Sequence, residues 1–217
     1  MKRNLIKLGK SRLFVITACF ILATMVLATP VSASETAATI NIGTLPPVTV
    51  SVVLDGVLYQ PDEFNNIHQQ LHANGVNLIF ITAKNGVVYA FSNFDDFCKK
   101  YSFQFDLSNG TTQKDTPIII DSIDPGYAYN WVGYNRGGNC SAIQEGWQGN
   151  LSSEWRNVIS SVWYQPDYSS YLNFYVLCRD LNYGGDWFVW YEGTGNNDLR
   201  NLGFDNDAES AFFGHYQ

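Results

Sequence analysis

Basic residues are scarce in this chain of 217 residues, where 13 Lys and Arg stand against 20 Asp and Glu for a formal net charge of −7. An acidic chain has no electrostatic attraction for the phosphates of nucleic acid or for anionic lipid, so we exclude nucleic acid as a partner. Acidic oxygen ligands do suit hard cations such as calcium. The charge balance therefore leaves calcium as the one cofactor worth testing.

The chain also lacks the sequence signatures of common enzymes. It has no G-x-S-x-G nucleophile elbow and no glycine-rich phosphate-binding loop. Its carboxylates are numerous, yet none forms a recognisable acid–base pair. We therefore predict a protein that is not an enzyme and has no catalytic residues.

Histidine is nearly absent, with three residues in the chain. His68 and His72 have the i, i+4 spacing of a zinc-binding pair. However, Gln69 stands where a metalloprotease needs its glutamate base, and His215 offers no obvious third ligand. We interpret His68 and His72 as surface residues of an amphipathic helix.

The first 33 residues are typical of a signal peptide. Basic residues come first, an apolar stretch runs over 13–28, and Val31-Ser32-Ala33 supplies a small-x-small cleavage site. A membrane anchor is the alternative, but the apolar run is short for a bilayer span. Cleavage between Ala33 and Ser34 predicts a secreted, extracellular protein that meets the membrane only during export. Loss of five basic and no acidic residues then changes the formal net charge from −7 to −12.

An internal repeat follows a predicted flexible leader over 34–47. VVLDGVLYQPDEFNNI begins at Val52, and TAKNGVVYAFSNFDDF begins at Thr82. Asp55-Gly56 and Asn85-Gly86 sit between apolar runs, which is the strongest short signal for a hairpin. A helical pattern follows each hairpin, over 62–73 and 92–101. We expect a (ββα)2 domain at 48–105 whose two hairpins form one small sheet.

The rest of the chain changes character. Residues 106–126 are polar and rich in Gly, Pro and Asp, and we interpret them as a linker. From 127 to 217, short aromatic runs alternate with Gly, Asn and Asp turns, which predicts a β-sandwich or compact barrel. The overall fold class is therefore α+β. Export permits disulfides, and we predict Cys140–Cys178 inside this second domain, with Cys98 as a buried free thiol.

Two linked motifs in this second domain carry a family resemblance. The later copy has the aromatic-x-Gly hairpin Tyr183-Gly184-Gly185, then the turn Asn206-Asp207-Ala208-Glu209-Ser210-Ala211. The earlier copy pairs Trp147-Gln148-Gly149 with the turn Arg156-Asn157-Val158-Ile159-Ser160-Ser161. The domain thereby resembles the βγ-crystallin superfamily and is most similar to its secreted microbial metalloproteinase inhibitors. The resemblance implies a Greek-key sandwich that inhibits a secreted protease.

The same resemblance implies calcium ligands in the two turns, which would be Asn157, Ser160, Asn206, Asp207 and Ser210. Arg156 stands where the family prefers Asn or Asp, and a guanidinium beside a cation site is unfavourable. The alternative is that the serines only satisfy backbone groups. The second functional hypothesis is a calcium-binding structural βγ-crystallin module.

Aromatic residues support a third hypothesis, which is binding to cell-wall glycan. Alternation along a strand places Trp187 and Val189 on one face and Phe188 and Trp190 on the other. We therefore expect one Trp to lie in the core and the other to be partly exposed, where it can stack on a sugar.

Overall fold

The computed structural model describes residues 44–104, 116–117, 123–168, 172–191 and 193–216. The predicted signal peptide, its cleavage site at Ala33–Ser34, and most of the predicted leader and linker lie outside the described residues. Within the described residues, no helix is long and apolar enough to cross a membrane. The helices are α1 (Pro61–Ala73) and α2 (Phe94–Tyr101). The strands are β1 (Val52–Leu54), β2 (Val57–Tyr59), β3 (Ile79–Thr82), β4 (Val88–Phe91), β5 (Phe103–Gln104), β6 (Thr116–Pro117), β7 (Tyr127–Trp131), β8 (Cys140–Gln144), β9 (Gly149–Asn150), β10 (Ser161–Gln165), β11 (Leu172–Cys178), β12 (Trp187–Tyr191), β13 (Gly195–Asn196) and β14 (Ser210–Tyr216).

The N-terminal half contains two hairpins, each followed by a helix. β1 pairs with β2 and β3 pairs with β4, both antiparallel, while β1 and β4 pair in parallel. Asp55 and Gly56 both have positive φ, as the tight turn between β1 and β2 requires. α1 begins at Pro61, whose missing N–H costs nothing at the first helical position. α2 begins after Asn93, whose side chain accepts from the N–H of Asp95 at 2.8 Å.

The sheet of this half does not stop at β3. β3 pairs in parallel with β12, which makes one nine-stranded sheet: eight strands follow the order β2-β1-β4-β3-β12-β11-β14-β5, and β9 also pairs with β14. This differs from the separate small sheet expected from the sequence. Residues Leu78–Ile81 are buried throughout, and a strand that is apolar on both faces needs neighbours on both edges and cover on both sides.

The C-terminal half consists of two four-stranded Greek-key motifs. The first motif is β7–β10 and the second is β11–β14. Each gives its third strand to the other's sheet, because β9 pairs with β14 and β13 pairs with β10. The resulting five-stranded sheet has the order β13-β10-β7-β8-β6. The predicted Greek-key architecture is thus present in the described residues.

The main core lies between the two sheets and continues under α1. Phe188 stacks on Phe80 at a centroid separation of 4.7 Å and on Phe204 at 3.8 Å. Those three rings belong to β12, β3 and the segment before β14, so the hairpin–helix half and the Greek keys share one core. Trp190 is 1% exposed in that core, whereas Trp187 on the other face is partly exposed, as the alternation predicts.

The predicted disulfide between Cys140 and Cys178 is wrong, because both residues are free thiols. Cys140 begins β8 in the five-stranded sheet and pairs with Trp131. Cys178 ends β11 in the nine-stranded sheet and pairs with Trp187. The two thiols belong to different sheets and to separate hydrophobic clusters. Cys98, predicted to be buried, is a free thiol that is partly exposed.

Candidate functional site

The hairpins that open the two motifs share one backbone shape. Asn135 and Arg136 in the first hairpin have φ of 52° and 60°, and Asn182 and Tyr183 in the second have φ of 54° and 64°. Two successive non-glycine residues in this region are uncommon, so the match identifies the equivalent positions. Arg136-Gly137-Gly138 in the first motif is therefore equivalent to Tyr183-Gly184-Gly185 in the second. The sequence-based choice of Trp147-Gln148-Gly149 for the first hairpin is therefore wrong.

A serine at the start of each fourth strand holds its hairpin in place. The Ser161 hydroxyl donates to the carbonyl of Gly133 at 2.7 Å and accepts from the N–H of Arg136 at 3.1 Å. The Ser210 hydroxyl donates to the carbonyl of Asp180 at 2.6 Å and accepts from the N–H of Tyr183 at 3.0 Å. Ser210, predicted as a calcium ligand, thus satisfies backbone groups as the alternative interpretation expects.

The two turns that precede β10 and β14 cross each other. The N–H of Asn157 donates to the carbonyl of Ala208 at 2.9 Å, and the N–H of Asn206 donates to the carbonyl of Ile159 at 3.0 Å. Asn157 and Asn206 have φ of 57° and 54°. The reciprocal bonds define a local twofold relation in which each turn supplies the other's partner.

This relation shifts the predicted register of the second turn by one residue. Asn157 corresponds to Asn206, so Arg156 corresponds to Asp205 and Ser160 to Glu209. The sequence comparison began the second turn at Asn206 and thereby missed Asp205. β10 begins at Ser161 and β14 begins at Ser210. Aligning these two serines in the sequence would have placed Asp205 at the position of Arg156.

Oxygen atoms converge where the second turn meets the first. The Ser160 hydroxyl donates to Asn206 Oδ1 at 3.3 Å. Two oxygens at this separation subtend roughly 80–90° at a calcium ion placed about 2.3–2.6 Å from both, which is a normal angle between its ligands. The predicted ligands Ser160 and Asn206 are therefore brought together by the fold.

Asp205 adds a carboxylate beside this pair. Its Oδ2 accepts from the Tyr134 hydroxyl at 2.9 Å and from Asn206 Nδ2 at 3.3 Å. The hydrogen bond to Asp205 raises the pKa of Tyr134, because losing the proton would leave two anions in contact. Oδ1 of Asp205 is buried and has no hydrogen-bond partner within the described residues. A buried carboxylate oxygen without a partner is costly, and a bound cation would satisfy it.

The equivalent position in the first turn carries different side chains from those around Asp205. Asn157 Nδ2 donates to Glu209 Oε1 at 3.0 Å, so the predicted ligand Asn157 meets a carboxylate there. Arg156 replaces the aspartate, and its Nε is buried without a hydrogen-bond partner in the described part of the chain. The fixed positive charge of the guanidinium opposes a second cation at this position.

Asp207, also predicted as a calcium ligand, is instead ion-paired with Arg179. Arg179 is 6% exposed and contacts Asp186 with Nε 3.4 Å from Oδ2. Asp186 also accepts from His68 Nε2 at 2.9 Å and from the N–H of Leu78 at 2.8 Å. Asp207, Arg179, Asp186 and His68 thus form a polar chain, largely buried, that joins the second turn to α1.

Contacts within the polar chain act on the pKa values of Asp186 and Arg179. Burial by itself would raise the pKa of Asp186, but the hydrogen bond from His68, the charges of His68 and Arg179, and the bond from Leu78 hold it below its ordinary value. Burial lowers the pKa of Arg179, and the charge of Asp186 opposes that shift. The prediction that His68 is a surface residue is wrong, since it is 1% exposed.

Comparisons with solved structures find several βγ-crystallin domains of low sequence identity. No protein-family model and no curated protein matches the chain. A structure from work on the evolution of the eye-lens βγ-crystallin domain fold is 16% identical and covers 47% of this chain and 98% of its own, with a TM-score of 0.39. A βγ-crystallin from an archaeon is 15% identical over 42% of this chain and 99% of its own, with a TM-score of 0.33. Spherulin 3a of Physarum polycephalum is 19% identical over 48% and 98%, with a TM-score of 0.36.

Other metal chemistry finds no support in the described residues. They contain no group of three or more His, Cys, Asp and Glu side chains that could hold a metal ion. A zinc site at His68 and His72 is therefore absent from that part of the chain. Calcium is a separate case, because Ser, Asn and backbone oxygens can supply most of its ligands.

Proposed function

We propose that the protein is a non-enzymatic structural module, exported from the cell, whose Greek-key half binds one calcium ion at the crossing of its two turns. The observation that carries the proposal is the buried Oδ1 of Asp205, which has no hydrogen-bond partner within the described residues and directly precedes Asn206, the partner of Ser160. Calcium would give this carboxylate oxygen the partner that the described residues do not supply.

The expected consequence of binding is stabilisation rather than catalysis. Both reciprocal backbone bonds lie in the crossed turns, so an ion bound there would hold the two motifs together. Arg156 limits the stoichiometry to one ion per chain. At a calcium concentration one hundred times above Kd, one site adds about 2.7 kcal/mol to the free energy of unfolding. That corresponds to a rise in Tm of roughly 5–10 °C for a chain of this size.

Thermal unfolding of the purified protein in calcium and in EDTA tests the proposal. We expect Tm to be higher in calcium, and we expect titration calorimetry to give one site. Asp205→Asn should remove most of the Tm rise, because it takes away the charge of the unpartnered carboxylate. Glu209→Gln is the matched control, since it removes the carboxylate that Asn157 of the first turn contacts. An identical Tm in calcium and EDTA for the wild-type protein would refute the proposal.

Inhibition of a secreted metalloproteinase stays a prediction of the sequence resemblance. We assign no inhibitory residues to it. Its test is an assay of a panel of metallo- and serine proteases at stoichiometric concentrations of the purified protein. Full protease activity across the panel would remove this function.

A further inference from the structure

A cleft of about 260 Å³ lies where the hairpin–helix half meets the second Greek-key hairpin. It is remote in sequence from the crossed turns and shares no residue with the calcium site. Its walls come from the loop before β3, the start of α2, and the segment that leads into β12. The lining residues are Asn77, Leu78, Ile79, Ser92, Phe94, Tyr183, Gly185 and Trp187.

Two rings form an aromatic corner in this cleft. Phe94 and Trp187 have centroids 5.6 Å apart and planes at 77°. The indole N–H of Trp187 donates to the carbonyl of Tyr183 at 2.8 Å, which fixes the orientation of the ring. Phe94 is 38% exposed although it is a large apolar residue at the start of a helix. A preorganised aromatic surface of this kind suits a ligand with a flat apolar face.

Polar groups stand beside the aromatic corner. Asn77 is exposed, and its side-chain amide makes no hydrogen bond within the described residues. The Ser92 hydroxyl donates to Asp55 Oδ2 at 2.6 Å, which leaves its lone pairs free to accept from a ligand. The cleft therefore offers both a donor and acceptors next to an apolar wall.

The lack of charged lining residues favours a neutral ligand for the cleft. None of the described residues that line it is an acid or a base. The chain as a whole is acidic, which disfavours anionic ligands. Asp55, the carboxylate that reaches the cleft through Ser92, uses both its oxygens on the N–H and hydroxyl of that residue. A neutral ligand with hydroxyl groups and an apolar face fits this combination best.

We propose that the cleft binds a neutral pyranose unit of a β-linked glycan. One apolar C–H face of the sugar stacks on the exposed ring of Phe94 and its edge contacts Trp187, while its equatorial hydroxyls reach the Asn77 amide and the Ser92 hydroxyl. This inference is independent of the proposed calcium site, so either can fail without the other.

The Trp187 indole N–H resonance is a direct probe of the cleft. We would record ¹⁵N-correlated spectra of the whole protein with chitotetraose, cellotetraose and xylotetraose, and assign the resonance with Trp187→Phe. We expect a saturable shift with at least one of the three sugars, in EDTA as well as in calcium. Phe94→Ala and Asn77→Ala should each weaken binding at least about tenfold.

The matched control is Tyr168→Ala, because Tyr168 is 73% exposed and lies outside the cleft. It should bind as the wild type does. Asn77 is exposed and unpaired, so its variant tests the site even where Phe94→Ala fails to fold. Absence of a shift with all three sugars would overturn the proposal, as would equal weakening by the control. A response to tetramethylammonium alone would also overturn it, since the cleft would then be a cation site.

Discussion

The two crossed turns have the same backbone and different side chains. Asn157 and Asn206 share a left-handed conformation and donate equivalent backbone hydrogen bonds. The residues that precede them differ, since Arg156 is equivalent to Asp205. The main-chain bonds of the crossing are therefore the same on both sides, while the side chains differ in charge. Under the proposed function, this difference in charge limits calcium to the turn that carries Asp205.

A second difference runs through the same two motifs. A Cβ on Gly138 would lie 2.8 Å from a methyl of Val132, and one on Gly185 would lie 2.8 Å from Cβ of Arg179. Val132 and Arg179 therefore occupy equivalent positions. The first motif has an apolar residue there, and the second has the centre of a buried polar chain. The second motif thus depends on charge pairing in a way that the first does not.

Arg179→Met should lower the free energy of unfolding more than the other variants do, because it removes the centre of the buried polar chain. The substitution removes the guanidinium that pairs with Asp186 and Asp207 in a largely buried region, at a cost of about 3–5 kcal/mol in the free energy of unfolding. Val132→Met, at the equivalent and 37% exposed position, should change it by about 0.5 kcal/mol or less. Urea unfolding measures both. Similar losses for the two variants would show that the buried chain adds no special stability.

Part of the stability that the protein loses in acid should come from Asp186, which lies in the second motif. The pKa of Asp186 in the folded protein is below its ordinary value of 3.8, so its contribution is present above that value and is lost as pH falls through the folded pKa. Asp186→Asn lacks this contribution at every pH. We expect the stability gap between wild type and variant to be widest near neutral pH and to narrow below about pH 4. A gap that stays constant between pH 7 and pH 2 would contradict the assignment.

Arg156→Asp should make the two turns chemically alike. The variant places a carboxylate at the position equivalent to Asp205, next to the existing pair of Asn157 and Glu209. We expect titration calorimetry to give two calcium ions per chain in place of one, with a further rise in Tm of a few degrees in calcium, roughly what one weak site supplies. Lys99→Asp makes the same charge change at an exposed position of α2 and should leave the stoichiometry unchanged. Two ions bound by the wild type would count against a role for Arg156.

Thiol labelling should give the smallest effect. The two motifs each pair a Cys with a Trp across neighbouring strands, as Cys140 with Trp131 and Cys178 with Trp187. Burial raises the pKa of Cys140 to about 12 and raises that of Cys178 as well, so neither forms a thiolate at pH 8. We expect iodoacetamide to modify Cys98 in the native protein and the other two only in denaturant, as read by peptide mass spectrometry. A linked Cys140–Cys178 peptide would contradict the structure.

Local patterns in the sequence predicted the local structure. Asp55-Gly56 and Asn85-Gly86 lie at the two hairpin turns, and alternation placed Trp190 inside and Trp187 at the surface. These features depend on residues close in the chain. The pairing of β3 with β12 depends on residues more than one hundred positions apart, and only the fully apolar run Leu78–Ile81 signalled that β3 has two neighbours.

The candidate site was predicted in part, for similar reasons. Ser160 and Asn206 do meet at the crossed turns, while Asn157 lies in the same crossing and contacts Glu209. Asp205 was missed by one position of register, which only the backbone bonds between the turns define. His68 carried its own signal, since it lies four residues after the buried Phe64 and so on the same face of α1.

The parallel pairing of β3 with β12 also decides which edge of the sheet is left open. Without the first hundred residues, the five-residue strand β12 would end the sheet and offer its unpaired amides and carbonyls to a second copy. With them, that side ends at β2, which has three residues. Short edge strands template aggregation poorly. The hairpin–helix half thus replaces an open five-residue edge of the Greek keys with an edge of three residues.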